Sequence, residues 1–82
     1  MNYYVYLLVS EPINKKTYSY VGYTNNLEKR IILHNSAKGA KFTRGKRWKL
    51  AFFKKYLTKK KALKEEYILK KDTKKRRILK KK

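Results

Sequence analysis

Tyr3-Tyr4-Val5-Tyr6-Leu7-Leu8-Val9 is the stretch on which the fold turns. It is aromatic and β-branched, the composition of a pleated strand. Its apolar side chains occupy both parities, so the strand needs cover on both faces. Glu11-Pro12-Ile13-Asn14-Lys15-Lys16 then reads as a turn, since Pro12 cannot donate to a ladder and Asn14 suits a bend. Thr17 to Tyr23 is a second strand, and the two form an antiparallel hairpin. Centred near Ile13, that hairpin sets Tyr6 across from Tyr20.

Further out, Thr24-Asn25-Asn26 marks a helix start. Asn25 as N-cap puts Glu28 at the third helical position, a capping-box arrangement. Leu27 and Ile31 lie one turn apart on this helix, which runs to about Ala37 and stops at Gly39. A basic loop follows, and Trp48 to Tyr56 reads as a third strand. A second long helix begins at Thr58 or Lys59 and runs to about Lys71. Asp72-Thr73 either starts a short terminal helix or opens a fraying tail. The order β-β-α-β-α predicts an α+β fold, a small three-stranded antiparallel sheet flanked by helices. One domain fills residues 1–82, with a core over about 3–71 and a basic tail over about 72–82.

Twenty-five Lys and Arg face five Asp and Glu in 82 residues, a formal net charge of +20. Such a balance selects partners rather than a fold. Nucleic acid is the default partner and an anionic membrane surface the second. Hydrophobic residues at 41% and aromatics at 15% argue against a disordered basic arm. With no Cys and a single His, disulfide staples and Cys- or His-rich metal sites are excluded. No apolar run approaches a membrane span, and the N-terminus lacks the features of a signal peptide. A cytoplasmic location is expected.

Four features could carry chemistry. On a helix of about 100° per residue, Ala62, Leu63, Tyr67 and Leu69 form an apolar stripe. Glu66 falls inside that stripe and Glu65 outside it. A carboxylate there needs a cation or metal for compensation; an i,i+4 ion pair to Lys70 is the plainer alternative. Arg30 and His34, at i and i+4, share a helical face. They suit a phosphate clamp and a proton relay, or equally a solvated surface. Tyr6 and Tyr20 are either packing or a general base, if neighbouring cations lower the phenol's pKa. Lys38, Lys41, Arg44, Lys46 and Arg47, around two Gly and before Trp48, suit phosphate gripping without sequence readout. Lys70 and Lys74 extend the basic surface beyond them.

The order and spacing of these features resemble the GIY-YIG endonuclease superfamily. Tyr4-Val5-Tyr6 stands where the first motif lies, and Tyr20-Val21-Gly22 where the second lies. Thr24-Asn25-Asn26-Leu27-x-x-Arg30-x-x-x-His34-Asn35 is similar to the family's helix with its catalytic Arg. Lys38-Gly39-Ala40-Lys41-x-Thr43-Arg44-Gly45-Lys46 resembles the loop of small stand-alone members and of branched-DNA-cutting subunits. Ala62-Leu63-x-x-Glu66-Tyr67 resembles the segment holding the metal-binding Glu. Tyr4 replaces the Gly of the family's name, Arg47 stands where many members have Pro, and no late Asn appears. No attached recognition or Cys-rich domain is seen.

The resemblance implies a metal-dependent DNA endonuclease that leaves 5′-phosphate and 3′-hydroxyl ends, on branched or flapped DNA. It gives Tyr6 the role of general base and Tyr20 that of its orienting partner. Arg30 holds the phosphate, His34 assists, and Glu66 binds one Mg²⁺ or Mn²⁺. The expected partner is DNA, met through its backbone by a monomer, with no membrane. A non-catalytic nucleic-acid-binding module on the same fold is the alternative. A basic ribosomal or membrane-surface protein does not account for the five residues in family order.

Overall fold

The computed structural model describes residues 2–36, 38–39 and 41–80. The chain runs β1 (Tyr3–Ser10), β2 (Ser19–Thr24), α1 (Leu27–Asn35), a 3₁₀ turn (Lys41–Thr43), β3 (Trp48–Tyr56), α2 (Lys59–Lys71) and α3 (Thr73–Lys80). The expected α+β architecture is present, and the possible terminal helix is α3. Asp72 joins the last two helices: it caps the end of α2, and its Oδ1 accepts from the Lys75 amide at 2.9 Å to begin α3. No helix among the described residues is long and apolar enough to cross a membrane.

β1 is the middle strand of an antiparallel sheet ordered β2-β1-β3. Its even residues face α1 and its odd residues face α2 and α3. Tyr6 and Leu8 pack with Trp48, and with the flanking Tyr18, Tyr20, Leu27 and Ile31. Val5 and Leu7 pack with Val21, Ala62 and Leu69, with Tyr56 and Leu79 at the margin. This is the two-sided cover that a strand apolar at both parities requires.

The hairpin register differs from expectation. Tyr6 pairs with Gly22, and Tyr20 pairs with Leu8. The cause lies in the turn. Asn14 and Lys15 both take positive φ, 53° and 66°, and the Ile13 and Lys16 backbones exchange hydrogen bonds of 2.8 and 3.0 Å. Positive φ at both central residues is the mark of a two-residue hairpin loop. The turn centre therefore lies beyond Ile13, and Tyr6 and Tyr20 become diagonal neighbours on one face.

The start of α1 also moves by one residue. Asn26, not Asn25, is the N-cap, its Oδ1 accepting from the Lys29 amide at 3.1 Å. Glu28 then sits at the second helical position, so no capping box forms, although its charge still suits the N-terminal dipole. The expected end near Ala37 lies outside the described residues; the helix closes at Asn35. Asn35 brackets the Trp48 backbone, accepting from its N–H at 2.7 Å and donating to its C=O at 3.2 Å. That double bond ties the end of α1 to the start of β3.

On α2 the buried stripe is narrower than expected. Ala62 and Leu69 are buried, and Glu66 lies between them along the helix. Leu63 and Tyr67 are 40% and 62% exposed, because a three-stranded sheet is too narrow to cover them. Glu65, expected outside, is half-buried and lines a hollow with Tyr56 and Asp72.

Leu7 is fully buried and Leu57 is 76% exposed. Replacing Leu7 by Ala is expected to cost about 2–5 kcal/mol. Leu57→Ala should stay within about 0.5 kcal/mol of wild type. Urea melts of the two variants check this, and equal losses would contradict the assignment of the core.

Candidate active site

The site forms where β1, β2 and α1 meet, around the Tyr6 hydroxyl. Tyr6 and His34 are each 1% exposed. Tyr6 Oη lies 2.9 Å from His34 Nε2, and His34 Nδ1 lies 2.9 Å from Thr43 Oγ1. Helical spacing puts Arg30 one turn before His34, near enough for its charge to act on the Tyr6 phenol. The Nε of Arg30 is buried and has no hydrogen-bond partner among the described residues. A buried guanidinium donor without a partner is costly unless a ligand oxygen reaches it. Two open hollows flank this arginine. One, of about 300 Å³, is lined by Tyr3, Tyr23, Thr24, Asn25, Arg30 and Lys59. The other adds Asn26, Lys29 and Leu33.

Glycine makes this packing possible at two points. Gly22 stands opposite Tyr6, and a methyl group there would lie 2.7 Å from the phenol Cζ and 3.2 Å from Tyr20 Cε2. At Gly39 a methyl group would lie 3.0 Å from both Cγ and Cε1 of His34. Real side chains do not pack that closely, so each ring holds its place only because its neighbour lacks a Cβ.

Electrostatics correct one expectation. The Tyr6 phenol is not acidified by its cations: burial pushes its pKa up to about 12, Arg30 opposes that only in part, and Tyr20 and Glu66 push it further upward. Loss of water around the phenolate outweighs one guanidinium. Burial also lowers the pKa of His34, and the Arg30 charge lowers it further. His34 is therefore neutral at pH 7 and able to accept a proton.

Glu66 comes from the other layer, on α2, and its charge is felt at Tyr6. Its side chain is 17% exposed, and Lys70 Nζ approaches only to 4.0 Å. The expected ion pair is thus present at the limit of contact and leaves room for another cation. Among the described residues no group of three or more His, Cys, Asp and Glu converges. A lone half-buried carboxylate does not make a protein-only cage. It does fit Mg²⁺, which keeps several waters and takes one or two carboxylates with substrate phosphate.

Tyr20 lies with its ring 5.0 Å from that of His34, as a wall rather than across the strand pair from Tyr6. Of the basic residues, Lys38, Lys41, Arg44, Arg47, Lys70 and Lys74 are exposed. Lys46 is more constrained: its Nζ donates to the Phe42 carbonyl at 2.9 Å and lies 4.7 Å over the Phe42 ring. Thr43, Lys29 and Lys59 were not anticipated. Thr43 meets His34 only because the loop folds back over α1, and no periodicity signals that. Lys29 and Lys59 had no signal beyond a general excess of Lys.

A hairpin and a helix bearing Arg and His thus surround one buried phenol, and a later helix offers a carboxylate from the opposite layer. A model of the GIY-YIG catalytic domain matches residues 2–80. The chain belongs to this family. It is 43% identical over 76 residues to a UPF0213 protein of Clostridium perfringens, spanning 92% of this chain and 77% of that protein. It is 48% identical over 52 residues to a UPF0213 protein of Oceanobacillus iheyensis, covering 62% of this chain but 60% of the relative. The chain thus spans less than two thirds of that relative. A solution NMR structure of a UPF0213 protein from Bacillus halodurans is 34% identical, with 95% of this chain and 83% of that chain covered and a TM-score of 0.46.

The depressed His34 pKa has a stability consequence. Above the ordinary value of 6.5 both folded and unfolded rings are neutral, and nothing is lost. As pH falls below that value, the unfolded ring takes up a proton that the buried ring refuses, so stability drops. Urea midpoints across this range should fall more steeply for wild type than for His34→Gln. Parallel curves would show that the ring is not the group responsible.

Proposed function

We propose that this protein is a divalent-metal-dependent DNA endonuclease that cuts a phosphodiester bond to leave 5′-phosphate and 3′-hydroxyl ends. The observation that carries this reading is the buried Nε of Arg30, which has no hydrogen-bond partner among the described residues, on a side chain whose charge acts on the Tyr6 phenol. A phosphate oxygen supplies the missing acceptor, and the same guanidinium then balances charge as it grows on the phosphate. Lys29 and Lys59 raise the positive potential of the flanking hollows.

The residues divide the proton work. Tyr6 takes a proton from the attacking water while its own proton passes to His34 Nε2, 2.9 Å away. Because the two transfers are linked, no free phenolate is needed, and a phenol with a pKa of about 12 is tolerated. His34 starts neutral, as its lowered pKa requires. Tyr20 keeps the imidazole in place from the side. Glu66 would hold one Mg²⁺ or Mn²⁺, which supplies Lewis-acid stabilisation of the leaving 3′ oxygen. Lys38, Lys41, Arg44, Arg47, Lys70 and Lys74 grip backbone phosphates without reading bases. A surface that grips phosphates suits substrates chosen by shape, such as branched or flapped DNA. The protein acts as a cytoplasmic monomer.

Incubation with plasmid, linear, flapped and four-way-junction DNA, with and without Mg²⁺ or Mn²⁺, tests this. Cutting should depend on the metal and fall by at least about 100-fold in Arg30→Ala and Glu66→Ala, while DNA binding persists. Binding without cutting under every condition, or full activity in Glu66→Ala, sinks the mechanism. The affinity of Glu66→Ala for duplex DNA should also fall with salt, each neutralised phosphate adding about −0.9 to the log–log slope. A flat response would exclude electrostatic docking.

A further inference from the structure

The hydrogen-bond chain at the buried phenol does not end at His34. The Arg30 charge acts on the Tyr6 phenol. A phenol in this setting keeps its proton, and His34 Nε2 lies 2.9 Å away to accept it. Nε2 can accept only if it carries a lone pair, so the imidazole proton must sit on Nδ1. Nδ1 lies 2.9 Å from Thr43 Oγ1, and Thr43 is fully buried. With the proton on Nδ1 the chain runs one way, Tyr6 donating to His34 and His34 to Thr43.

We infer that Thr43 is a positioning residue that holds His34 as the Nδ1–H tautomer, with its Nε2 lone pair aimed at the Tyr6 phenol. The inference rests on the nuclease reading for its purpose but not for its geometry. Thr43 is held independently of the ring, because its carbonyl accepts the Trp48 indole N–H at 2.9 Å. Trp48 is in turn bracketed by Asn35, the residue after His34. Gly39 closes the other approach to the imidazole, its backbone lying where any Cβ would strike the ring. Ring and acceptor are thus fixed from three separate segments.

The orientation matters because a free imidazole prefers the Nε2–H form. In that form a hydrogen would point at the phenol and the relay would have no acceptor. Thr43 does for this histidine what the buried carboxylate does in a Ser-His-Asp triad, orienting the ring and selecting its tautomer. It does so with a neutral oxygen, and so leaves the ring's basicity to its other neighbours. Those neighbours are Arg30 from α1, Tyr6 from β1 and Tyr20 from β2.

His34 is the chain's single histidine, so long-range nitrogen–proton NMR of the imidazole reads its tautomer without assignment. Wild type near neutral pH should show Nδ1 protonated and Nε2 bare. Thr43→Val, which keeps the β-branched shape, should shift the ring toward Nε2–H and lower kcat about 10–100-fold with KM little changed. Thr43→Ser, which restores the oxygen, should recover both tautomer and rate. A wild-type ring protonated on Nε2 overturns the inference, even if the valine variant fails to fold. So does a folded Thr43→Val that keeps the Nδ1–H form. A wild-type protein with the expected tautomer that cuts no DNA rejects the nuclease reading and leaves the Thr43 assignment intact.

Discussion

One strand must satisfy two layers at once. Val5, Tyr6, Leu7 and Leu8 are consecutive and each at most 2% exposed. A strand can hide four residues in a row only if both its faces are covered. α1 with the 3₁₀ turn covers one, and α2 with α3 covers the other. In an 82-residue chain this consumes nearly every helix available. The site inherits that arrangement: Arg30 and His34 come from one layer and Glu66 from the other. The sheet, rather than any direct bond between them, sets how far apart they sit.

The buried phenol sharpens the chemistry. A cation-rich surface suggests an acidified tyrosine, yet Tyr6 shifts the other way, because the +20 charge lies mostly in water while the hydroxyl does not. Exposed Lys side chains are screened and distant. Only Arg30 is near enough to matter, and it does not outweigh the lost solvation. Charge abundance and local electrostatics are thus separate properties of this molecule.

Much of the fold was legible because long apolar patterns decide element type. The order of elements, the third strand and the start of α2 at Thr58 follow from periodicity and capping. Register did not follow, because Lys15 in the left-handed region carries no sequence signal and moves the turn beyond Ile13. The α2 stripe was drawn too wide, since periodicity gives a helix's faces but not the width of the sheet beneath. For the site, Arg30 with His34 on α1 and the half-buried Glu66 on α2 were readable as spacings along their own helices. Thr43 was not, because its contact depends on a loop folding back, and loops have no period to read.

β3 carries a bulge between its pairings with Leu7 and Leu8, where Phe52 and Leu50 are the partners and Ala51 is the extra residue. Before it, Trp48 belongs to the phenol's layer; after it, Phe52 and Tyr56 belong to the opposite layer. The strand thus changes allegiance midway. Ala51 is the one residue of β3 that the pairing with β1 does not use, and its insertion is what turns the second half of the strand to the other layer. A regular pleat that kept all nine residues would instead turn Phe52 and Tyr56 away from the packing under α2. Losing the Ala51 codon should therefore be milder than losing any neighbouring codon of β3, because only that deletion straightens the strand without turning a side chain to the opposite layer.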